Sequence, residues 1–318
     1  MNLIEFIDII LILPFIPTFI LMVYTLCILI IKFKNKSSVF LNEFYPFVAY
    51  RIFTDILYNF LSYFFLKFPL WNIWPEVYLN NDILAAIMYS IGSFLVSGFF
   101  IHSLVVLVIR FIAIKYPTKY REIFSQKRII LIIIGMICYG TIIGSGTLFF
   151  KSRYIYNNVT NVISAVYLDK RVSIYTFAYG IVLYNLTIIF SLFFNIANWI
   201  LIYKKRHEWK AKKSTNIIYA AYCFFTFIIT CLHELYFILR VIGSFSGNYN
   251  FAIIANILLS FTGEIGTYGD FYFVLFISKQ LRNAIISPIK KLFGYNIVEI
   301  QTVNKTYNLA TRTKCIKV

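Results

Sequence analysis

The sequence predicts an all-α integral membrane protein, a bundle of seven transmembrane helices followed by a short amphipathic helix. Three observations carry that expectation. The composition is too apolar for a water-soluble globule: 60% of the 318 residues are hydrophobic, only 14% are charged, and the mean hydropathy is +0.76, whereas soluble domains carry about a quarter charged residues. Five uncharged runs each reach the ~20 residues needed to cross a bilayer. The Lys and Arg residues gather in alternate connecting segments, as the positive-inside rule requires. In lipid a spanning segment must satisfy its own backbone, which leaves helices or a closed barrel. Barrel strands are short and alternate in polarity, and these runs do neither.

The membrane-spanning body is expected over residues 1–293, with spans at 9–31, 44–66, 83–109, 129–150, 172–203, 214–238 and 249–277. The first has acidic Glu5 and Asp8 before it and no basic leader, so it reads as an anchor that stays in place. The second is apolar apart from Arg51 and Asp55. The third, fourth and fifth carry no charge, and the sixth carries none as far as His233. The seventh carries Glu264 and Asp270 among Gly263, Gly266 and Gly269, small residues that let helices approach closely. Residues 279–293 place Leu281, Ile285, Ile289 and Leu292 at helical spacing among basic residues. That pattern suits a helix lying on a membrane surface, with a break expected near Pro288. Residues 294–318 read as a polar cytosolic tail.

Orientation follows from the basic residues. Lys32, Lys34 and Lys36, the segment from Arg110 to Arg128, the segment from Lys204 to Lys213, and the tail together hold most of the 30 Lys and Arg residues. These segments belong in the cytosol and the amino terminus outside. The net charge of +17 is thus a topological signal, and nucleic acid is not an expected partner; the lipid bilayer is. The sequon at Asn158 falls in the longest expected external loop, where a glycan can be added. The five cysteines have neither zinc nor CxxC spacing. No metal, cofactor or catalytic group is expected, because no nucleophile–base pair or phosphate loop is visible.

Ionisable groups inside a span are costly and mark questions of function. Arg51 and Asp55 stand in i,i+4 spacing. They either neutralise one another for insertion or turn Asp55 inward as a polar switch with Asp270. Glu264 either packs as a hydrogen-bonded acid or meets a ligand. Arg110 ends the third span, where a basic residue commonly serves as an anchor. His102, His233 and Glu234 are further intramembrane groups.

The stretch Arg110–Tyr120 (RFIAIKYPTKY), Asp55 in FTDIL, and Asp270–Arg282 (DFYFVLFISKQLR) resemble the third, second and seventh helices of rhodopsin-like G-protein-coupled receptors. NEFYPFVAYRIFTDILYNF, FLKFPLW and IRFIAIKYP further resemble the nematode serpentine chemoreceptors of class gamma, with class V a close second. Several family features are missing: Ile109 stands where an acid precedes the arginine, Phe271 and Val274 stand where a proline and a tyrosine are usual, and Ala85 stands near the usual cysteine.

The resemblance implies a chemosensory receptor in the plasma membrane of sensory neurons or their cilia, for an odorant or pheromone-like small molecule and a heterotrimeric G protein. It implies coupling through Arg110, Lys115, Pro117, Lys204, Lys205 and Arg206. It also implies a polar switch at Asp55 and Asp270 and a ligand pocket including Tyr89, Ser93, Ser97, Glu264 and Tyr268. The alternative is a transporter or channel with an intramembrane polar pathway.

Overall fold

The computed structural model describes residues 3–37, 40, 44–157, 162–169, 171–205, 213–246 and 249–292. Helix α1 (Leu3–Lys34) contains Pro14 and Pro17 and ends on basic Lys32 and Lys34. Helix α2 (Phe44–Leu61) runs on through a π-helical turn (Ser62–Lys67) into α3 (Phe68–Leu70), and α4 (Pro75–Leu79) follows. Helix α5 (Asp82–Lys115), the short α6 (Tyr120–Ile123) and α7 (Gln126–Thr147) lead to strands β1 (Ser152–Asn157) and β2 (Val162–Tyr167). Helix α8 (Val172–Thr176) passes through a second π-helical turn (Phe177–Leu183) into α9 (Tyr184–Lys205). Helices α10 (Lys213–Ser246) and α11 (Tyr249–Ile277) complete the bundle.

Among the described residues, five helical stretches are long and apolar enough to cross a membrane: Pro14–Lys34, Asp82–Lys115, Gln126–Thr147, Val172–Lys205 and Ile217–Gly243. Helix α2 with its π-helical extension and the 29-residue α11 are the other two long rods, and both carry the intramembrane charges. The chain is thus a mainly helical membrane bundle, as expected. It also contains a feature absent from that expectation, the antiparallel hairpin β1–β2, paired from Ser152 with Tyr167 to Asn157 with Val162.

Chain packing relies on small residues where lipid supplies no hydrophobic drive between helices. A Cβ on Gly140 or Gly144 of α7 would lie 2.8 Å from the Phe94 carbonyl oxygen or 2.5 Å from that of Ser90 on α5. On α11, Gly263 accommodates the Tyr58 ring, and Gly266 and Gly269 accommodate Ile229 and Phe225 of α10. Aromatic stacking fills the middle: Phe100 lies 4.1 Å from Tyr184, near parallel, within a buried cluster with Tyr179, Tyr236 and Phe237.

The segment from Ser278 forms a compact unit of its own. Its helix α12 (Lys279–Leu292) starts with the Ser278 hydroxyl accepting the Leu281 N–H at 3.1 Å. The break expected at Pro288 does not occur, and the helix runs on to Leu292. Only one turn follows the proline, so little hydrogen bonding is lost there.

Candidate functional site

The polar centre of the bundle is built on Arg51. One turn of α2 brings Asp55 beneath it, with Arg51 Nη2 donating to Asp55 Oδ1 at 3.0 Å. From α11, Asp270 Oδ2 accepts from Arg51 Nε at 3.3 Å, and Tyr222 of α10 also hydrogen-bonds Asp270. The guanidinium carbon lies 4.3 Å from the centre of the Phe99 ring of α5. All three charged residues are at most 5% exposed. The two acids meet on one guanidinium, so neutralisation within α2 and an inward link to α11 occur together. Arg51 and Asp270 between them join four helices.

Two cavities flank this triad. One is lined by Thr54, Asp55, Tyr58, Phe99 and His233, with Gly263 and Gly266. The other is lined by Phe47, His102, Tyr222, Asp270 and Phe271. Each is about 20 Å³, enough for one water and too small for a signalling molecule.

A second ion pair lies nearer the hairpin. Lys67, at the end of the π-helical turn, pairs with Glu264 of α11 and sits 4.6 Å from the Tyr63 ring centre. Elsewhere, Asn185 of α9 donates to Glu234 of α10 at 2.8 Å, and His233 bonds the Ile229 carbonyl oxygen at 2.9 Å. Among the described residues no three His, Cys, Asp or Glu side chains gather to hold a metal.

The five residues expected to line one pocket fall into two groups, and none of them lines either cavity. Tyr89, Ser93 and Ser97 lie along α5. The Ser97 and Tyr184 hydroxyls are 2.6 Å apart, and Tyr179 hydrogen-bonds Ser93. Glu264 and Tyr268 lie on α11 beside Lys67 and Tyr63. The serines turn their hydroxyls onto a backbone carbonyl and tyrosines, and Glu264 has a basic partner in Lys67.

The hairpin is tied down by tyrosines. Tyr154 of β1 donates to the Phe65 carbonyl oxygen at 2.7 Å, and Tyr78 of α4 donates to that of Phe64 at 2.6 Å. Both acceptors belong to the π-helical turn, where the i→i+5 pattern disturbs the normal ladder. Tyr89 donates to the Ala165 carbonyl oxygen at 2.8 Å and stacks on Tyr167 at 3.8 Å. Burial pushes the Tyr154 and Tyr167 phenols above the ordinary tyrosine range. At the hairpin's exit, hydrogen bonds from Arg171 hold the Asp169 carboxyl below its usual range. Cys27, Cys138, Cys223 and Cys231 are free thiols.

At the other end, Arg110 of α5 places its guanidinium carbon 4.8 Å from the Tyr219 ring centre of α10. Lys205 of α9 donates to the Ile114 carbonyl oxygen of α5 at 2.9 Å. Lys115, Pro117 and Lys204 are exposed. Lys115 also lies 5.2 Å from the ring centres of Phe111 and Tyr116. Arg206, Asn158 and the tail 294–318 lie outside the described residues.

Two cations lie just past the expected spans 44–66 and 214–238: Lys67, which is buried, and Arg240, which is half-buried. Their helices outlast the apolar runs: α2 continues through its π-helical turn, and α10 extends to Ser246. A tyrosine four residues before each of them, Tyr63 and Tyr236, was the available signal.

No curated protein matches the chain. Residues 11–291 match the family described as the serpentine type 7TM GPCR chemoreceptor Srv. The resemblance placed class gamma first, and this match corrects it: the short motifs of spans two and three do not separate the two classes, whereas a match along nearly the whole bundle does. With its helical membrane bundle, the chain belongs to the Srv family of serpentine seven-transmembrane chemoreceptors.

Proposed function

We propose that the protein binds a small molecule from outside the cell at its hairpin end and activates a heterotrimeric G protein at its basic end. The supporting observation is the contact between Arg110 and Tyr219. It holds α5 against α10 beside a surface of exposed Lys115, Pro117 and Lys204, where a cytosolic partner would dock. The Lys and Arg bias of the connecting segments supports this orientation. Ligand binding would favour a population in which the Arg110–Tyr219 contact is released and the basic end opens. Asp55 and Asp270, clasped by Arg51, set the α2–α11 register against which that movement occurs. The setting is the surface of sensory neurons or their cilia, and a glycan at Asn158 fits the same orientation.

The test is G-protein dissociation in a reporter cell challenged with a broad panel of odorants and metabolites. Arg110→Ala is expected to abolish the ligand-dependent signal at equal surface expression. An unchanged signal would remove Arg110 from the coupling role. A steady ionic current or solute uptake in reconstituted bilayers, with no G-protein response, would favour a transporter or channel instead.

A further inference from the structure

The hairpin half of the bundle holds two basic side chains turned into the protein, and their surroundings differ. Lys67 has a carboxylate, Glu264. Arg240 of α10 forms no ion pair among the described residues. Its Nη1 donates to the Tyr236 hydroxyl at 2.6 Å, and it hydrogen-bonds Tyr89 of α5. Its guanidinium carbon lies 5.9 Å from the ring centres of both tyrosines. Tyr89 is itself stacked on Tyr167 of the hairpin.

Arg240 lies three residues before the end of the apolar stretch Ile217–Gly243. A basic residue at that level ordinarily extends toward the lipid headgroups, but this one is turned across the bundle onto α5. Hydroxyls and ring faces recover only part of the solvation a guanidinium loses. Its planar fork is suited to a carboxylate taken in two parallel hydrogen bonds. The site thus supplies a positive charge and aromatic walls.

We propose that Arg240, with Tyr89 and Tyr236, is the anchor for an anionic ligand, a small carboxylate bearing an alkyl or aryl tail. The carboxylate takes the place of the tyrosine hydroxyls on the guanidinium, and the tail lies among the rings of Tyr89, Tyr167 and Tyr236. This assignment rests on the hairpin end being the ligand end.

The test uses the full chain in phosphatidylcholine nanodiscs and measures thermal unfolding with octanoate, phenylacetate, methyl octanoate and octylamine. The carboxylates are expected to raise Tm, and the ester and the amine are not. Arg240→Gln should weaken the carboxylate effect at least tenfold in concentration. Tyr236→Phe, which removes one competing hydroxyl and keeps the ring, should strengthen it severalfold and covers the case in which Arg240→Gln does not fold. The proposal is overturned if the ester acts as well as the acid, if Arg240→Gln leaves the effect intact, if Tyr236→Phe fails to strengthen it, or if no carboxylate shifts the wild type. It is also overturned if phosphatidylglycerol nanodiscs alone produce an Arg240-dependent shift, which would assign the site to a lipid headgroup. A carboxylate-dependent shift in a chain that never engages a G protein would sink the signalling proposal and leave the anion site standing.

Discussion

Replacing Arg51 with leucine keeps side-chain bulk and removes the cation that two buried carboxylates share. At an effective dielectric constant of about 20, contacts of 3.0 and 3.3 Å each correspond to roughly 5 kcal/mol of attraction. Desolvating the three ions costs several kcal/mol apiece, so the intact triad adds little net stability. Removing the cation alone is a different operation: the desolvation of Asp55 and Asp270 remains and their compensation is gone. The expected loss is about 3–5 kcal/mol, which at about 2–4 °C per kcal/mol lowers Tm by roughly 6–20 °C. Differential scanning fluorimetry of the receptor in nanodiscs measures this directly. The triple replacement Arg51→Leu, Asp55→Leu, Asp270→Leu should recover most of the loss, because it removes the buried charge altogether. An Arg51→Leu protein within about 2 °C of wild type, or a triple variant no more stable than the single one, would refute the reasoning.

Three further outcomes are expected. Gly144→Ala forces a Cβ toward the Ser90 carbonyl oxygen, 2.5 Å away, and should cost about 1–3 kcal/mol by overpacking, while Gly135→Ala, with nothing within 4 Å, should be neutral or slightly stabilising in the same melting assay. Tyr154→Phe leaves the Phe65 carbonyl oxygen without this donor and should cost about 1–2 kcal/mol. The phenol's folded pKa lies above its unfolded value of 10.0, so this residue's contribution is constant below about pH 9 and falls only as pH rises past 10, which melts at pH 6, 8 and 9 would show. Tyr219→Leu removes a cation–π contact worth about 1 kcal/mol and should raise ligand-independent G-protein activity about fivefold, while Tyr219→Phe keeps the ring and should raise it less.

The bundle was legible because, in a chain of this composition, a charge-free run of bilayer length is hard to place anywhere except in lipid. Legibility ended at the charges. Lys67 and Arg240 read as loop residues because a charge closes an apolar run, but their helices continue past them. The compensating partner of Lys67 is 197 residues away in sequence, beyond any local pattern. The hairpin escaped for another reason. SRYIYN and VISAVY are rich in β-branched and aromatic residues and are separated by four positions, a pattern that supports strands. Next to spans three times their length they read only as connecting loop. The α2–α11 polar link was partly visible, since Asp55 and Asp270 were singled out. That Arg51 holds both required knowing that α2 and α11 are neighbours.

The placement of charge also bears on where the bundle can yield. Helices α2 and α11 are joined by Lys67–Glu264 and by Arg51–Asp270. Sliding α11 by one turn, about 5.4 Å, would break both pairs and leave buried ions uncompensated. An apolar seam would tolerate the same slip far better, because lipid tails and leucine side chains are equally apolar surroundings. The charged seam therefore defines a single register at little net gain in stability. At the basic end, the contact between α5 and α10 combines Arg110 over the Tyr219 ring with an apolar cluster that includes Ile114 and Ala220, and parting it breaks no ion pair found among the described residues. A ligand has to supply far less differential affinity to release that contact than to move α11 along α2. Opening is accordingly expected between α5 and α10, with spin labels on those two helices separating on activation while labels across α2 and α11 keep their distance.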